Sequence, residues 1–186
     1  MSTPRSIDDL IQLTAAGKRA KYLFFWGHQP APDGSVTKSC FSQWWEAPFT
    51  SEDGHSYATA EHYMMAGKAR IFGDMEVHDE VLKAKHPKQA KALGRKVKGF
   101  DEETWVAQRF GLVVAGNFLK FAQHPELKAF LLGTGQRVLV EASPVDRIWG
   151  IGMAGDDADA EKPQKWRGLN LLGFALMEVR ERLAGS

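Results

Sequence analysis

Glu61 and Lys68 stand seven residues apart in the run Tyr57-Ala-Thr-Ala-Glu61-His62-Tyr63-Met-Met-Ala-Gly-Lys68-Ala-Arg70. On a helix that spacing puts both side chains on one face, about 10 Å apart along the axis. A carboxylate and an ammonium so placed could bracket a sugar phosphate, or they could be two solvated charges. Glu61 would fall in a first helical turn, where the dipole and free amides stabilise a carboxylate, so it also reads as a plain helix-start charge. A second cluster is Ser143-Pro-Val-Asp146-Arg-Ile-Trp149-Gly150-Ile-Gly152. It joins a carboxylate, an indole and two glycines that let a ligand approach backbone closely. Its other reading is an Asp-capped turn beside a buried Trp.

Other site chemistries find no support. The six histidines lack the paired spacing of a zinc protease helix, and the single Cys40 cannot form an internal disulfide or a thiolate zinc site. There is no GxSxG elbow and no GxxxxGK[ST] loop; Gly133-Thr-Gly135 lacks the rest of a dinucleotide fingerprint. No metal and no cofactor is expected.

Both clusters need elements to hold them. Thr59 caps a predicted helix from about 60 to 72, ended by Gly73. Ser6 caps a first helix that stops before Gly17, and Tyr22–Trp26 reads as a short aromatic strand. Cys40–Trp45 and Ala47–Thr50 read as short strands, with Asp53-Gly54 a hairpin turn. Helices are expected over 76–84, from Pro87 to about Val97, from Glu102 to Phe121 behind the Asp101 cap, after Pro125, and from Leu169 to Leu183. Arg137–Glu141 alternates like a strand, and 143–168 is a long irregular segment whose acidic stretch 155–161 reads as a solvated loop. The class is mainly α, an α+β chain with a small β element.

Composition sets the outer bounds. The 186 residues carry 24 Lys and Arg against 23 Asp and Glu, so the net charge of +1 lacks the footprint of a phosphate-gripping protein. No apolar run nears the ~18–20 residues of a membrane span, and the first ten residues have no signal-peptide core, so a soluble, cytoplasmic protein is expected. Six Trp and eleven Phe are many for this length. Several Trp sit beside Gly, Pro or Ser, which suits core plugs or a stacking site for a flat ligand.

Six motifs in order complete the reading: Phe24-Phe-Trp-Gly27, Cys40-Phe-Ser-Gln-Trp-Trp45, Tyr57-Ala-Thr-Ala-Glu61-His62-Tyr63, Lys68-Ala-Arg70, Trp149-Gly-Ile-Gly152 and Gly168-Leu-Asn170-Leu-Leu-Gly173. Together they resemble the NADAR domain, a family that includes YbiA-like proteins, from about Tyr22 to Leu183. The resemblance implies a helical YbiA-like fold, with residues 1–20 an N-terminal helix and 21–186 a single catalytic domain. It implies an N-glycosidase acting on a small nucleotide or sugar phosphate. One such class is the ribosylamino-pyrimidine phosphates of riboflavin biosynthesis; another is ADP-ribose on guanine, with ADP-ribosylated DNA as a partner. By motif the family's catalytic glutamate falls on Glu61, its lysine on Lys68, its long-helix tryptophan on Trp105, and its late aspartate and aromatic on Asp146 and Trp149. Ala60 and Val145 depart from the Ser and the Asn or Asp of some members.

The chemistry fits those residues. Breaking a ribosyl C1–N bond builds positive charge on C1 and the ring oxygen, which a carboxylate stabilises while activating water. General acid–base assistance is worth about 10²–10⁴-fold, so positioning must supply much of the rest. The assignment makes Glu61 and Asp146 catalytic. Phe24, Gly27, Trp45, Lys68, Arg70, Arg95, Trp105, Trp149 and Asn170 are expected to bind substrate, the Trp by stacking and the cations by meeting phosphate. The rival readings are a non-catalytic ADP-ribose or nucleotide-binding module and a protein-interaction domain anchored by Trp44–Trp45.

Overall fold

Tyr22–Phe25, four residues of strong strand preference, forms β1, which pairs in parallel with β4, Val138–Glu141. The register runs from Tyr22 opposite Val138 to Phe25 opposite Glu141. The computed structural model describes residues 3–185, which fold as two compact units, one of residues up to 42 and from 126, the other of residues 43–125. Across the described residues there are seven α-helices and two two-stranded sheets, so the class is α+β and mainly helical, as expected. None of these helices is long and apolar enough to cross a membrane.

In the first unit, α1 (Ile7–Ala15) starts at Ser6, whose side chain accepts the Asp9 amide. The Phe25 ring packs edge-on to Phe41, 5.4 Å between centroids, and Phe41 meets Phe130 of α6 (Pro125–Gly133) at 5.5 Å. Helix α7 (Leu171–Ala184) packs on β4 and buries Leu172, Phe174, Leu176 and Val179. Asn170 precedes it in a left-handed conformation, φ 53°, and staples strand to helix. Its Nδ2 donates to the Leu139 carbonyl and its Oδ1 accepts the Glu141 amide, both at 3.0 Å.

The second unit is built around α2 (Ala60–Ile71), which buries nine of its twelve residues because α3 (Met75–Lys83), α4 (Pro87–Gly94) and α5 (Glu102–Gln123) all pack on it. A hairpin of β2 (Phe49–Thr50) and β3 (Ser56–Tyr57) leads into it. Two glycines set how closely α5 approaches. A Cβ on Gly67 would come within 2.5 Å of Leu112, and one on Gly116 within 2.5 Å of Tyr63.

Several boundaries depart from the sequence expectation: β1 ends at Phe25 rather than Trp26, β2 begins at Phe49 rather than Ala47, and α7 begins at Leu171 rather than Leu169. The strand expected over Cys40–Trp45 does not form: residues 38–41 make a turn of 3₁₀ helix capped by Thr37, and Cys40 and Phe41 both turn inward, which strand alternation forbids. Helix α3 starts at Met75, one residue earlier than 76, since Asp74 caps it by accepting the Val77 amide, while its other oxygen accepts the amide of Lys98. Helix α4 ends at Gly94 rather than near Val97.

Candidate functional site

Glu61 lies in the first turn of α2 and is only 3% exposed, so its carboxylate is no solvated helix-start charge. Thr59 caps the helix, its hydroxyl accepting the His62 amide at 3.4 Å. The Glu61 amide donates to the Gln43 carbonyl at 2.9 Å. Gln43 is held in turn by Asn117 of α5, whose Nδ2 donates to Gln43 Oε1 at 2.7 Å and to the Val113 carbonyl at 2.9 Å. The other amide nitrogen, Nε2 of Gln43, is buried and has no acceptor among the described residues. A chain of hydrogen bonds thus ties the start of α2 to the middle of α5.

Lys120 stands one turn beyond Asn117 and is fully buried. Leu112, Gly116 and Lys120 lie four apart on one face of α5. Leu112 meets Gly67 and Gly116 meets Tyr63, so the two helices run antiparallel and the same register brings Lys120 to the start of α2. The sequence reading missed Gln43, Asn117 and Lys120. A visible signal existed for the last two, which interrupt the apolar stripe of α5 between Val113 and Phe121 with polar groups.

Lys68 follows the expected helical face but has local partners. Its Nζ donates to the Gly94 carbonyl at 2.9 Å and sits 4.4 Å from the centroid of Phe100 and 5.4 Å from that of Trp105. Burial lowers its pKa, while Glu102 pulls the other way. Trp105 is buried under this cation. Arg70 pairs with Asp53 at 2.8 Å, Arg95 is exposed, and Trp45 is half-buried. His62 is buried between the Thr59 hydroxyl (2.8 Å from Nδ1) and the Ala84 carbonyl (3.1 Å from Nε2). Burial holds its pKa below the usual value, so it is neutral: Nδ1 accepts from Thr59 and Nε2 donates to Ala84.

The second candidate cluster belongs to the first unit. Asp146 Oδ1 accepts the amides of Ile148 at 2.8 Å and Trp149 at 2.7 Å, so the Asp-capped turn is real. Oδ2 of Asp146 takes no donor among the described residues. The irregular segment is densely cross-bonded: Ile151 donates to Glu141, Arg167 to Ile151, Asn170 to Gly150, and Leu172 to Trp149. Gly152, at φ 68°, makes the backward turn that returns its amide to the Asp146 carbonyl. Trp149 is half-buried. Phe24 stacks on Tyr22 at 5.9 Å, Gly27 is exposed just beyond β1, and Asn170 is committed to the strand staple described above. Among the described residues, no three His, Cys, Asp or Glu side chains group as metal ligands would.

The NADAR domain family matches residues 24–184, a span containing both clusters in full. The chain belongs to the NADAR family. An N-glycosidase of Acanthamoeba polyphaga mimivirus is 42% identical over 165 residues, covering 87% of this chain and 95% of that protein. The N-glycosidase YbiA of Escherichia coli is 34% identical over 132 residues, 71% and 74% of the two chains. The NMR structure of E. coli YbiA superposes with a TM-score of 0.68 at 30% identity, covering 89% of this chain and 86% of that one. A chloroplastic riboflavin biosynthesis protein PYRR of Zea mays is 33% identical over 148 residues, only 22% of its own length. A NADAR fold therefore carries both Glu61 and the Asp146 turn of this chain.

Proposed function

We propose that this NADAR protein is an N-glycosidase that hydrolyses a ribosyl C1–N bond, with Glu61 as the catalytic carboxylate. The observation that carries the proposal is the burial of Glu61 at a capped helix start, tied by Gln43 and Asn117 to α5. A buried carboxylate needs a counter-charge; the helix N-terminus offers one, and the α2–α5 register that brings the buried Lys120 to the start of α2 supports Lys120 as the other. In the reaction the C1–N bond breaks with its electron pair going to the nitrogen, while Glu61 faces the positive charge growing on C1 and the ring oxygen. Water then bonds to C1 and gives a proton to the carboxylate, which passes it to the departed nitrogen or to solvent. Gln43 Nε2 is a buried donor suited to a ribose hydroxyl.

Lys68, whose ammonium lies near the Phe100 and Trp105 rings, carries positive charge toward the phosphate end of a substrate, with Arg70 two residues on and Arg95 next to Gly94, whose carbonyl accepts from Lys68. Trp45, in the same unit as Glu61, stacks on the base, while parts for Asp146 and Trp149 in the reaction rest on the family motif alone. Residues 21–186 act as one catalytic domain in the cytoplasm. The substrate is a ribosylamino-pyrimidine phosphate, a reading that the PYRR relative supports; ADP-ribose on guanine, free or in DNA, is the competing substrate.

The test is a release assay on wild type and Glu61→Gln, offered both substrate classes, with freed sugar phosphate or ADP-ribose detected by mass. Wild type turns over one class, and the variant loses about 10²–10⁴-fold while melting near the wild-type temperature. Binding without turnover in wild type would replace the enzyme by a nucleotide-binding module.

A further inference from the structure

The first unit carries a groove of about 820 Å³ that the glycosidase reading does not use. It is lined by Lys18, Arg19, Lys21, Arg137 and Arg180, with Glu181 as its one acid. That acid is shared with a further cation, since Arg5 NH2 lies 3.2 Å from its Oε2. Leu132, Val138 and Met177, from α6, β4 and α7, give the groove an aliphatic wall with no aromatic ring in it. The volume lies in the range of small-molecule sites.

The floor is built rather than incidental. Arg180 is only 7% exposed, yet its NH1 is held by neutral acceptors alone, Thr134 Oγ1 at 2.7 Å and the Arg137 carbonyl at 2.9 Å. Thr134 is itself fixed, its hydroxyl donating to the Leu131 carbonyl at 2.6 Å. Arg137 is likewise bound only to carbonyls, those of Thr134 and Gly133 at 3.1 and 3.2 Å. Neither guanidinium has a carboxylate partner among the described residues. Burial lowers the Arg180 pKa; Glu181 opposes this and Arg137 adds to it. Two adjacent guanidiniums, one of them desolvated, are costly unless an anion joins them. Lys18, Arg19 and Lys21, which also line the groove, are exposed and make no side-chain ion pair among the described residues, and all three precede residue 24, where the family match begins.

We propose that this groove is a second site, separate from Glu61, that binds a small molecule bearing a diphosphate group. The forked guanidiniums match phosphate oxygens in pairs, and the three outer cations meet the second phosphate. A single phosphate would engage only part of the five-cation set. The missing aromatic platform directs recognition to the phosphates rather than to a stacked base.

The experiment is calorimetric titration of the full chain with inorganic pyrophosphate, ADP and inorganic phosphate. It uses wild type, Glu61→Gln and the triple variant Lys18→Ala/Arg19→Ala/Lys21→Ala. Those three side chains are exposed and have no ion-pair partner among the described residues, so the triple variant is expected to fold, which its melting curve checks. Expected is pyrophosphate binding at least tenfold tighter than phosphate, unchanged in Glu61→Gln, and weakened at least tenfold in the triple variant with glycosidase turnover intact. ADP binding tighter than pyrophosphate would assign the aliphatic wall to a nucleoside; equal binding would leave the free diphosphate as ligand. Equal affinity in wild type and triple variant, or loss of binding in Glu61→Gln, overturns the proposal. Because the readout is binding, failure here is distinguishable from failure of the glycosidase assignment, which is read by turnover.

Discussion

The backbone amide of Glu61 donates to the carbonyl of Gln43 at 2.9 Å, anchoring the first turn of the central helix to a residue outside it. Asn117 of α5 holds the side chain of the same Gln43. The candidate catalytic carboxylate is therefore placed by the packing of α5 on α2 as much as by its own helix, and that packing brings in Lys120.

If Lys120 supplies the charge that offsets Glu61, then Lys120→Met leaves a buried carboxylate uncompensated. We expect a loss of roughly 3–5 kcal/mol in stability by urea unfolding. Glu61→Gln in the same chain should recover much of that loss, since neither charge is then buried alone. In any folded Lys120→Met protein the acid limb of the kcat/KM profile moves to higher pH. Strictly additive effects of the two substitutions would separate the two residues.

Asp146 holds a turn and is proposed to act in the reaction, and Asp146→Asn separates the two. Asparagine keeps an Oδ1 that accepts the amides of Ile148 and Trp149, so the turn survives and stability changes by less than about 0.5 kcal/mol. If Oδ2 serves the reaction, kcat falls at least tenfold. Asp146→Ala should instead lose about 0.5–2 kcal/mol, as removal of a cap does. Full activity in Asp146→Asn would reduce this residue to its turn.

Lys68 is predicted to act through its charge. Lys68→Ala should raise KM for a phosphorylated substrate roughly tenfold or more, with kcat little changed, in line with the loss of a charged hydrogen bond. Because burial lowers its pKa, the wild-type KM should start to climb on alkalinisation at a pH below the ordinary lysine value of 10.5. A KM unchanged in Lys68→Ala would confine the residue to packing on Phe100 and Trp105.

His62 gives the fold an acid sensitivity of calculable sign. Its folded pKa lies below the ordinary 6.5, chiefly through burial, with the Ala84 carbonyl opposing and His86 adding. The unfolded chain thus binds the proton more readily. Stability is full above pH 6.5 and falls progressively as the pH drops from 6.5 toward the lower folded value. Melting temperatures at about pH 7.5 and about pH 5.5 should differ in that direction, and His62→Gln should shrink the difference. An undiminished difference in the variant would place the sensitivity elsewhere.

Much of this was legible in the chain because its signals are local. Ser6, Thr59 and Asp101 each announce a helix start, and each side chain accepts the amide three residues on. Glu61 is flagged by its place in a motif, and the Asp146 turn by the fixed offsets of Asp, Trp and Gly. The strand expected over Cys40–Trp45 fails because aromatic composition suits a strand locally, while tertiary burial of both Cys40 and Phe41 selects a helical turn over 38–41.

The sequence alone determined the family, the helix caps, the mainly helical class and the two clusters that could do chemistry, since these depend on short spacings. Only the tertiary structure decided what each charge meets. It buried Glu61 and Lys120, laid Lys68 over Trp105, committed Asn170 to the β4–α7 staple, and gathered Lys18, Arg19 and Lys21 around Arg137 and Arg180. The physical reason is that burial and ion partnership are set by residues distant in the chain, through contacts such as Gly67 with Leu112 and Gly116 with Tyr63 that no local pattern encodes.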